Sequence, residues 1–413
     1  MTAPPYSAGK TLSTKEWVPL RTRAIFDFCK WDVQCEDRSV LSPFPLLIEP
    51  ATSRLLNETA EALAREAISA EEEILEKPDL MGRLGLAPEI QKTLQNASKE
   101  GSGIHALRVM RFDFHSTHDG WRISEVNADV PGGFIEASGW NSLFAAEMPG
   151  ASAPPCTSDL YARAVRDAVR EGGLVALVHA TAYSDDRQVM QHLAHRFSAL
   201  GLRTCLVSPA HLRWMDGRAE IHANFASGSP KAVVRFFPAE WLPNLAREDS
   251  WRAYFQKTRV PVSNPGSSIL LQTKRFPLVW EELHTELSTW RKLLPGTVEL
   301  SEIKIPPDDT WVLKPALGRV GERIGIRGVT PKPDLEKIIR EAQRSPQQWV
   351  AQKRFEILPI TTPAGEKFPC IGVFTVGGRA AGFYGRIADK PIITQDAQDV
   401  AVLIKTAAEG KIA

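Results

Sequence analysis

Hydrophobic and polar positions alternate most sharply along residues 108 to 127. Met110, Phe112 and Phe114 interleave with Val109, Arg111 and Asp113, the period of a strand with two distinct faces. Trp121 to Asn127 alternates again. Between them His118, Asp119 and Gly120 predict a three-residue hairpin loop, a type I turn closed by a left-handed glycine. That loop sets Thr117 against Trp121, and so Asp113 against Glu125 and Arg111 against Asn127, with all four on one face. A two-residue loop would slip the register by one and divide them between faces.

The remaining pattern places elements around this hairpin. Residues 1 to about 15 are small and polar and read as a mobile tail. Trp17 to Leu47, rich in aromatics and prolines, reads as a loop-rich pocket wall or a core cap. Thr52 to Leu75 spaces Leu55, Leu56, Ala60, Leu63, Ala67 and Ile68 as an amphipathic helix, with the acidic run Glu71 to Glu73 on a solvated face. Pro131-Gly132-Gly133 opens a helical pattern from Phe134 to Met148, and Pro149 to Pro155 reads as a linker. Helix (160 to 171), strand (174 to 179), helix (186 to 200), strand (203 to 208) and strand (232 to 237) then imply a doubly wound parallel unit. Its turns carry no GxGxxG, which leaves a dinucleotide site unsupported. His192 and His195 fall on a solvated helix face. Strands follow at Trp311 to Lys314 and Trp349 to Arg354, and a second hairpin runs from Pro369 to Arg386 about Gly377-Gly378.

Composition narrows the function classes. A chain of 413 residues can divide into two or three domains, and 50 basic against 49 acidic residues leave a formal charge of +1. That balance argues against nucleic-acid and membrane-surface partners. The five cysteines show neither a zinc spacing nor a disulfide framework. With no apolar leader and no run long enough to span a bilayer, the expectation is a soluble cytoplasmic protein, compatible with a homodimer.

Two carboxylates and an amide oxygen converging beside a guanidinium suit Mg²⁺ that keeps waters and takes phosphate oxygens. A surface hairpin with cross-strand ion pairs explains the same residues. Lys314-Pro315-Ala316-Leu317-Gly318-Arg319-Val320-Gly321 delivers a lysine from a strand into a small-residue loop that lets amides approach an anion. It is not a Walker A motif. Beside the hairpin, with Lys274 and Arg386, it reads as a nucleotide site on antiparallel sheets.

Taken together, these segments resemble the glutathionylspermidine synthase-type ATP-grasp ligases, without the amidase domain of bifunctional members. RFD at 111 to 113, the step to EVNAD at 125 to 129, NPGSSILLQTK at 264 to 274, VLKPALGRVGE at 312 to 322, WVAQ at 349 to 352 and AAGFYGRIAD at 380 to 389 appear in that family's order. The resemblance implies an α/β fold with an ATP-grasp core of antiparallel sheets in permuted motif order, plus a preATP-grasp-like doubly wound domain. The expected division is 1–156 with the hairpin, 157–262 doubly wound, and 263–413 binding nucleotide. Asp113, Glu125 and Asn127 would hold magnesium. Lys274, Lys314, Gly318, Arg319, Gly321 and Gln352 would contact ATP, and Arg111 and Arg386 would serve the transferring phosphoryl group. The implied reaction joins a small-molecule carboxylate to an amine through an acyl phosphate. The rivals are an ATP-dependent phosphotransferase and a catalytically silent nucleotide-binding protein.

Overall fold

A computed structural model describes residues 4–99, 107–169, 173–246, 250–318, 321 and 323–406. The hairpin becomes the strands Val109–Thr117 and Gly120–Asn127. It does not stand alone. Val109–Thr117 pairs antiparallel with Gly365–Val376, which pairs with Arg379–Ala388 and then Gln398–Val400, so the two predicted hairpins share one sheet. Alternation separates its faces. Met110, Phe112, Phe114, Ile371, Val373 and Phe383 are buried in one core with Leu56, Ala60, Leu63 and Ala67 of the helix Pro50–Glu76. Burying each phenylalanine contributes about 1.5–3 kcal/mol. On the opposite face Arg111, Asp113, Cys370, Gly372, Tyr384 and Arg386 line a cavity of about 940 Å³.

The turn corrects the expected register. Thr117 pairs with Gly120, leaving a two-residue loop, and the ladder then shifts so that Arg111 opposes Asn127 after all. Ser124 and Glu125 share the place opposite Asp113, an extra residue in one strand that turns Glu125 back toward the cavity face.

A second antiparallel sheet, ordered Thr297–Val298, Trp349–Lys353, Trp311–Pro315, Gly325–Ile326, forms the facing wall. Leu313, Trp349 and Ala351 pack with Ile338 and Ala342 of the helix Lys332–Arg344, while Val312, Lys314 and Gln352 line the cavity. The doubly wound expectation holds as a four-stranded parallel sheet ordered Arg203–Val207, Leu174–His179, Ala232–Phe236, Val262–Ser263. Phe236 and Pro238, at the carboxyl end of a central strand, reach the cavity, the edge at which open α/β sheets take ligands.

Other expectations change. The polar start is not a tail: Tyr6–Ala8 pairs with Leu46–Ile48, and the strand is buried at Tyr6. Thr14–Phe28 is a helix, with Glu16 accepting from the Ser13 amide at 2.7 Å, so only the later part of the aromatic stretch is loop. The linker carries a strand, Ala151–Ser152, paired with Val402–Lys405. Glu71 is buried and paired with Arg108, and Glu73 binds the backbone of His284 and Thr285. Glu71 and Glu73 are therefore structural clasps, and of the run Glu72 alone is exposed as expected. His192 is buried and hydrogen-bonded to Ser158 at 2.9 Å, its pKa pushed down to about 3 chiefly by burial. Among the described residues no helix is long and apolar enough to cross a membrane.

Candidate active site

Alternation along Val109–Thr117 puts Arg111, Asp113 and His115 on the cavity face. The Arg111 guanidinium grips Asp113 with Nε to Oδ1 at 2.7 Å and Nη2 to Oδ2 at 2.9 Å. Its Nη1 donates to the Gly132 carbonyl at 2.6 Å, and its Cζ lies 5.0 Å from the centre of the Tyr384 ring. Burial opposes the charge, but Asp113 outweighs it and raises the Arg111 pKa. Two glycines make room. A Cβ on Gly372, opposite Asp113 in the ladder, would meet Arg111 Cδ at 2.7 Å, and one on Gly133 would meet the Tyr384 ring at 2.8 Å. Asn127 Nδ2 donates to Asp113 Oδ2 at 3.1 Å, which leaves the amide oxygen as a lone-pair donor.

Glu125 pairs with Lys274 Nζ at 3.2 Å. Burial raises its pKa but Lys274 and Lys314 overcome that, so the carboxylate stays charged. Lys274 comes from the segment after the short helix Ile269–Gln272 and, against expectation, does not itself line the cavity; its link to it is the pair with Glu125. Lys314 Nζ donates to the Ser124 carbonyl at 3.0 Å. Burial pushes its pKa down to about 8, against the pull of Glu125. Gln352, in register with Val312, donates to Thr297 Oγ1 at 3.1 Å and lines the same cavity. Gly318 and Gly321 line it too, Gly321 with φ +66° and its Cα packed beneath the Ile393 carbonyl. Arg319 lies outside the described residues. Arg386 donates Nη2 to the carbonyls of Thr394 at 2.9 Å and Ala397 at 3.2 Å, while its buried Nε, which has no hydrogen-bond partner among the described residues, lies 3.8 Å from Asp399 Oδ1.

The structure thus brings Arg111, Asp113, Glu125, Asn127, Lys314, Gly318, Gly321, Gln352 and Arg386 to one cavity, with Lys274 behind Glu125. The sequence reading missed several neighbours. His115 continues the alternation of Arg111 and Asp113, a signal that was there to be followed; burial lowers its pKa to about 4. Tyr384 donates to Asp399 Oδ1 at 2.7 Å. Lys30 is buried among Asp399 at 2.9 Å, Asp32 at 3.1 Å and Glu136; burial would depress its pKa, but those acids raise it well above the ordinary range. No local pattern marks Lys30, because two of its three partners, Glu136 and Asp399, come from distant parts of the chain.

The donor set is two carboxylates and one amide oxygen. Among the described residues no group of three or more His, Cys, Asp or Glu side chains is spaced to enclose a metal ion. Such a partial oxygen shell fits a cation that fills its remaining positions with water and phosphate, as Mg²⁺ does, and not one needing an all-protein cage.

A family profile described as glutathionylspermidine synthase preATP-grasp matches residues 46–405. The chain belongs to this family. Its fold is similar to that of a glutathione synthetase-like effector from Globodera pallida, with a TM-score of 0.64 at 13% identity, covering 95% of this chain and 97% of that one. A putative gamma-glutamylcysteine synthetase from Methylobacillus flagellatus also matches, at a TM-score of 0.40 and 14% identity over 79% of this chain and 83% of that one. No curated protein matches the chain in sequence. The cavity of this preATP-grasp family member therefore lies between an antiparallel sheet shared by both ends of the chain, a second antiparallel sheet carrying Lys314, and the edge of the parallel sheet.

Proposed function

We propose that this protein is a magnesium- and ATP-dependent ligase that joins a carboxylate to an amine. The observation that carries the reading is the convergence on one cavity of Arg111, Asp113, Glu125, Asn127, Lys314 and Gln352 from two separate sheets. Family membership supports a synthetase. The charges are already matched for such a substrate: Asp113 sits on Arg111 and Glu125 on Lys274. With magnesium and ATP bound, Asp113 and Glu125 would hold the metal and the freed Arg111 and Lys274 would hold phosphate oxygens, so each ion pair would be exchanged in kind. Little net charge is then buried, which avoids the cost of desolvating unpaired ions.

Asp113, Glu125 and the Asn127 oxygen would hold Mg²⁺, which neutralises phosphate charge and favours in-line transfer. Lys314 and Lys274 bind phosphate oxygens, and Gln352 borders the base. Gly318 and Gly321, without side chains at the cavity wall, would let backbone amides approach the phosphates. Arg111 and Arg386 face the spreading charge as the substrate carboxylate attacks the γ-phosphorus and ADP leaves. An amine then attacks the acyl phosphate carbon, forming the C–N bond, releasing phosphate and losing a proton. The helix Ser184–Ser198 brings Asp185 and Asp186 to the cavity wall, carboxylates suited to a positively charged amine; Asp32 and Glu136 in that wall are paired with Lys30.

Thermal unfolding with ATP or ADP, with and without Mg²⁺, tests this on wild type and Glu125→Gln. At ~100 times the dissociation constant, ligand adds roughly 2.7 kcal/mol to the folded state. A magnesium-dependent rise in wild type, lost in the variant, is the expected result. The reading falls if wild type shows no such rise, or if the variant retains it in full. ADP release that needs an acid and is accelerated by an amine separates the ligase from a phosphotransferase.

A further inference from the structure

Glu125 reaches the cavity only because of the bulge. With Thr117 opposite Gly120, an unbroken ladder would set Glu125 against Phe112, on the core face. The extra residue at Ser124 and Glu125 reverses that, so whatever holds the bulge also sets the carboxylate. Three side chains do so. Lys274 takes the Glu125 carboxylate at 3.2 Å, Lys314 takes the Ser124 carbonyl at 3.0 Å, and His115 Nε2 is hydrogen-bonded to Ser124 Oγ at 3.1 Å. The two lysines are expected to exchange partners when phosphates arrive. His115 is not, because its ring is buried and packed against Phe355 with centroids 5.5 Å apart.

We propose that His115 and Ser124, at the cavity wall, form a positioning pair that fixes the bulge and so sets the magnesium affinity of the site, acting through Glu125 and not as ligands of the metal. The inference rests on the ligase reading of the cavity. Ser124 joins the two halves of that site: its hydroxyl is held by His115, its carbonyl by Lys314, and its neighbour is Glu125. The pair keeps the carboxylate aimed while Lys274 and Lys314 move to phosphate. Partners that orient a metal ligand in this way are worth about 10–100-fold in metal affinity.

The test is the Mg²⁺ concentration at half-maximal thermal stabilisation by a fixed excess of ATP. It is measured on the full chain for wild type, His115→Phe, Ser124→Ala, the double variant and His115→Gln. Each single change is expected to raise the midpoint about tenfold. The double variant should raise it no further than either single change, since residues acting through one contact are not additive. His115→Gln, whose amide reaches the same hydroxyl, should recover to within about threefold of wild type, a recovery that mere filling of space would not give. Midpoints unchanged in both single variants overturn the pair, and so does a double variant whose shift is the product of the two. Should His115→Phe fail to fold, Ser124→Ala alone decides, an unchanged midpoint overturning the proposal. Wild type with no magnesium-dependent stabilisation overturns the ligase reading and this inference together. A normal wild-type response with unshifted variants overturns this inference only.

Discussion

Arg108 and Arg111 stand three residues apart, Arg108 buried and Arg111 nearly so, each bound to a carboxylate, yet they belong to different regions of the molecule. Arg108 donates to Glu71 at 2.7 Å and to Ser268 at 2.6 Å, tying the long helix Pro50–Glu76 to the segment after the parallel sheet. Neither Arg108 nor Glu71 borders the cavity. Arg111 and Asp113 do, under a glycine that clears space for the guanidinium. Residue type, burial and ion pairing are therefore alike in a structural tie and in a candidate catalytic pair. What separates them is access: Asp113 opens on the cavity, from which a cation could approach it, whereas Glu71 does not border it.

The largest expected effect tests the structural side. Glu71→Ala leaves the Arg108 charge buried without its carboxylate, so chemical denaturation should show a loss of about 3–5 kcal/mol. The magnesium midpoint of nucleotide stabilisation should not move; a shifted midpoint would place this tie within the site. Next comes Gly372→Ala, whose methyl would press on the middle of the Arg111 side chain. Calorimetric titration with MgATP should show affinity about tenfold weaker, or ~1.4 kcal/mol, and an unaltered affinity would release Arg111 from its assigned role. The smallest effect belongs to Tyr384→Phe. It deletes the bond to Asp399 but keeps the ring beside Arg111, so stability should fall by about 1 kcal/mol with MgATP binding intact. Weakened binding there would show that Asp399 reaches Arg111 through the tyrosine hydroxyl.

Much of this was legible along the chain because it depends on short periods. Alternation marked the first hairpin, apolar residues three or four apart marked the helix in Pro50–Glu76, short apolar runs marked the strands at WVLK and WVAQ, and the motif order pointed to the family. The hairpin reading put Arg111, Asp113, Glu125 and Asn127 on one face, as the structure does, but by an incorrect route. It assumed a three-residue loop, whereas the chain uses a two-residue loop and a compensating bulge. A bulge has no local signature here, since Ser124 and Glu125 are ordinary strand residues whose placement is decided by His115, Lys314 and Lys274. The acidic run misled for a related reason. Charge spacing on a helix indicates solvent until a partner from elsewhere, here Arg108 or the backbone at 284 and 285, arrives to cover it.

By itself the sequence determined which faces are apolar, where strands and helices recur, and which residues bear oxygen donors and fixed positive charge, all set within a few residues of chain. Only the tertiary structure decided that Val109–Thr117 lies against Gly365–Val376, that Lys30 meets Asp399, and that of two neighbouring arginines one is walled in and the other opens on a cavity. These depend on contacts between segments hundreds of residues apart, where burial converts an ordinary charge into either a fixed tie or an exchangeable one.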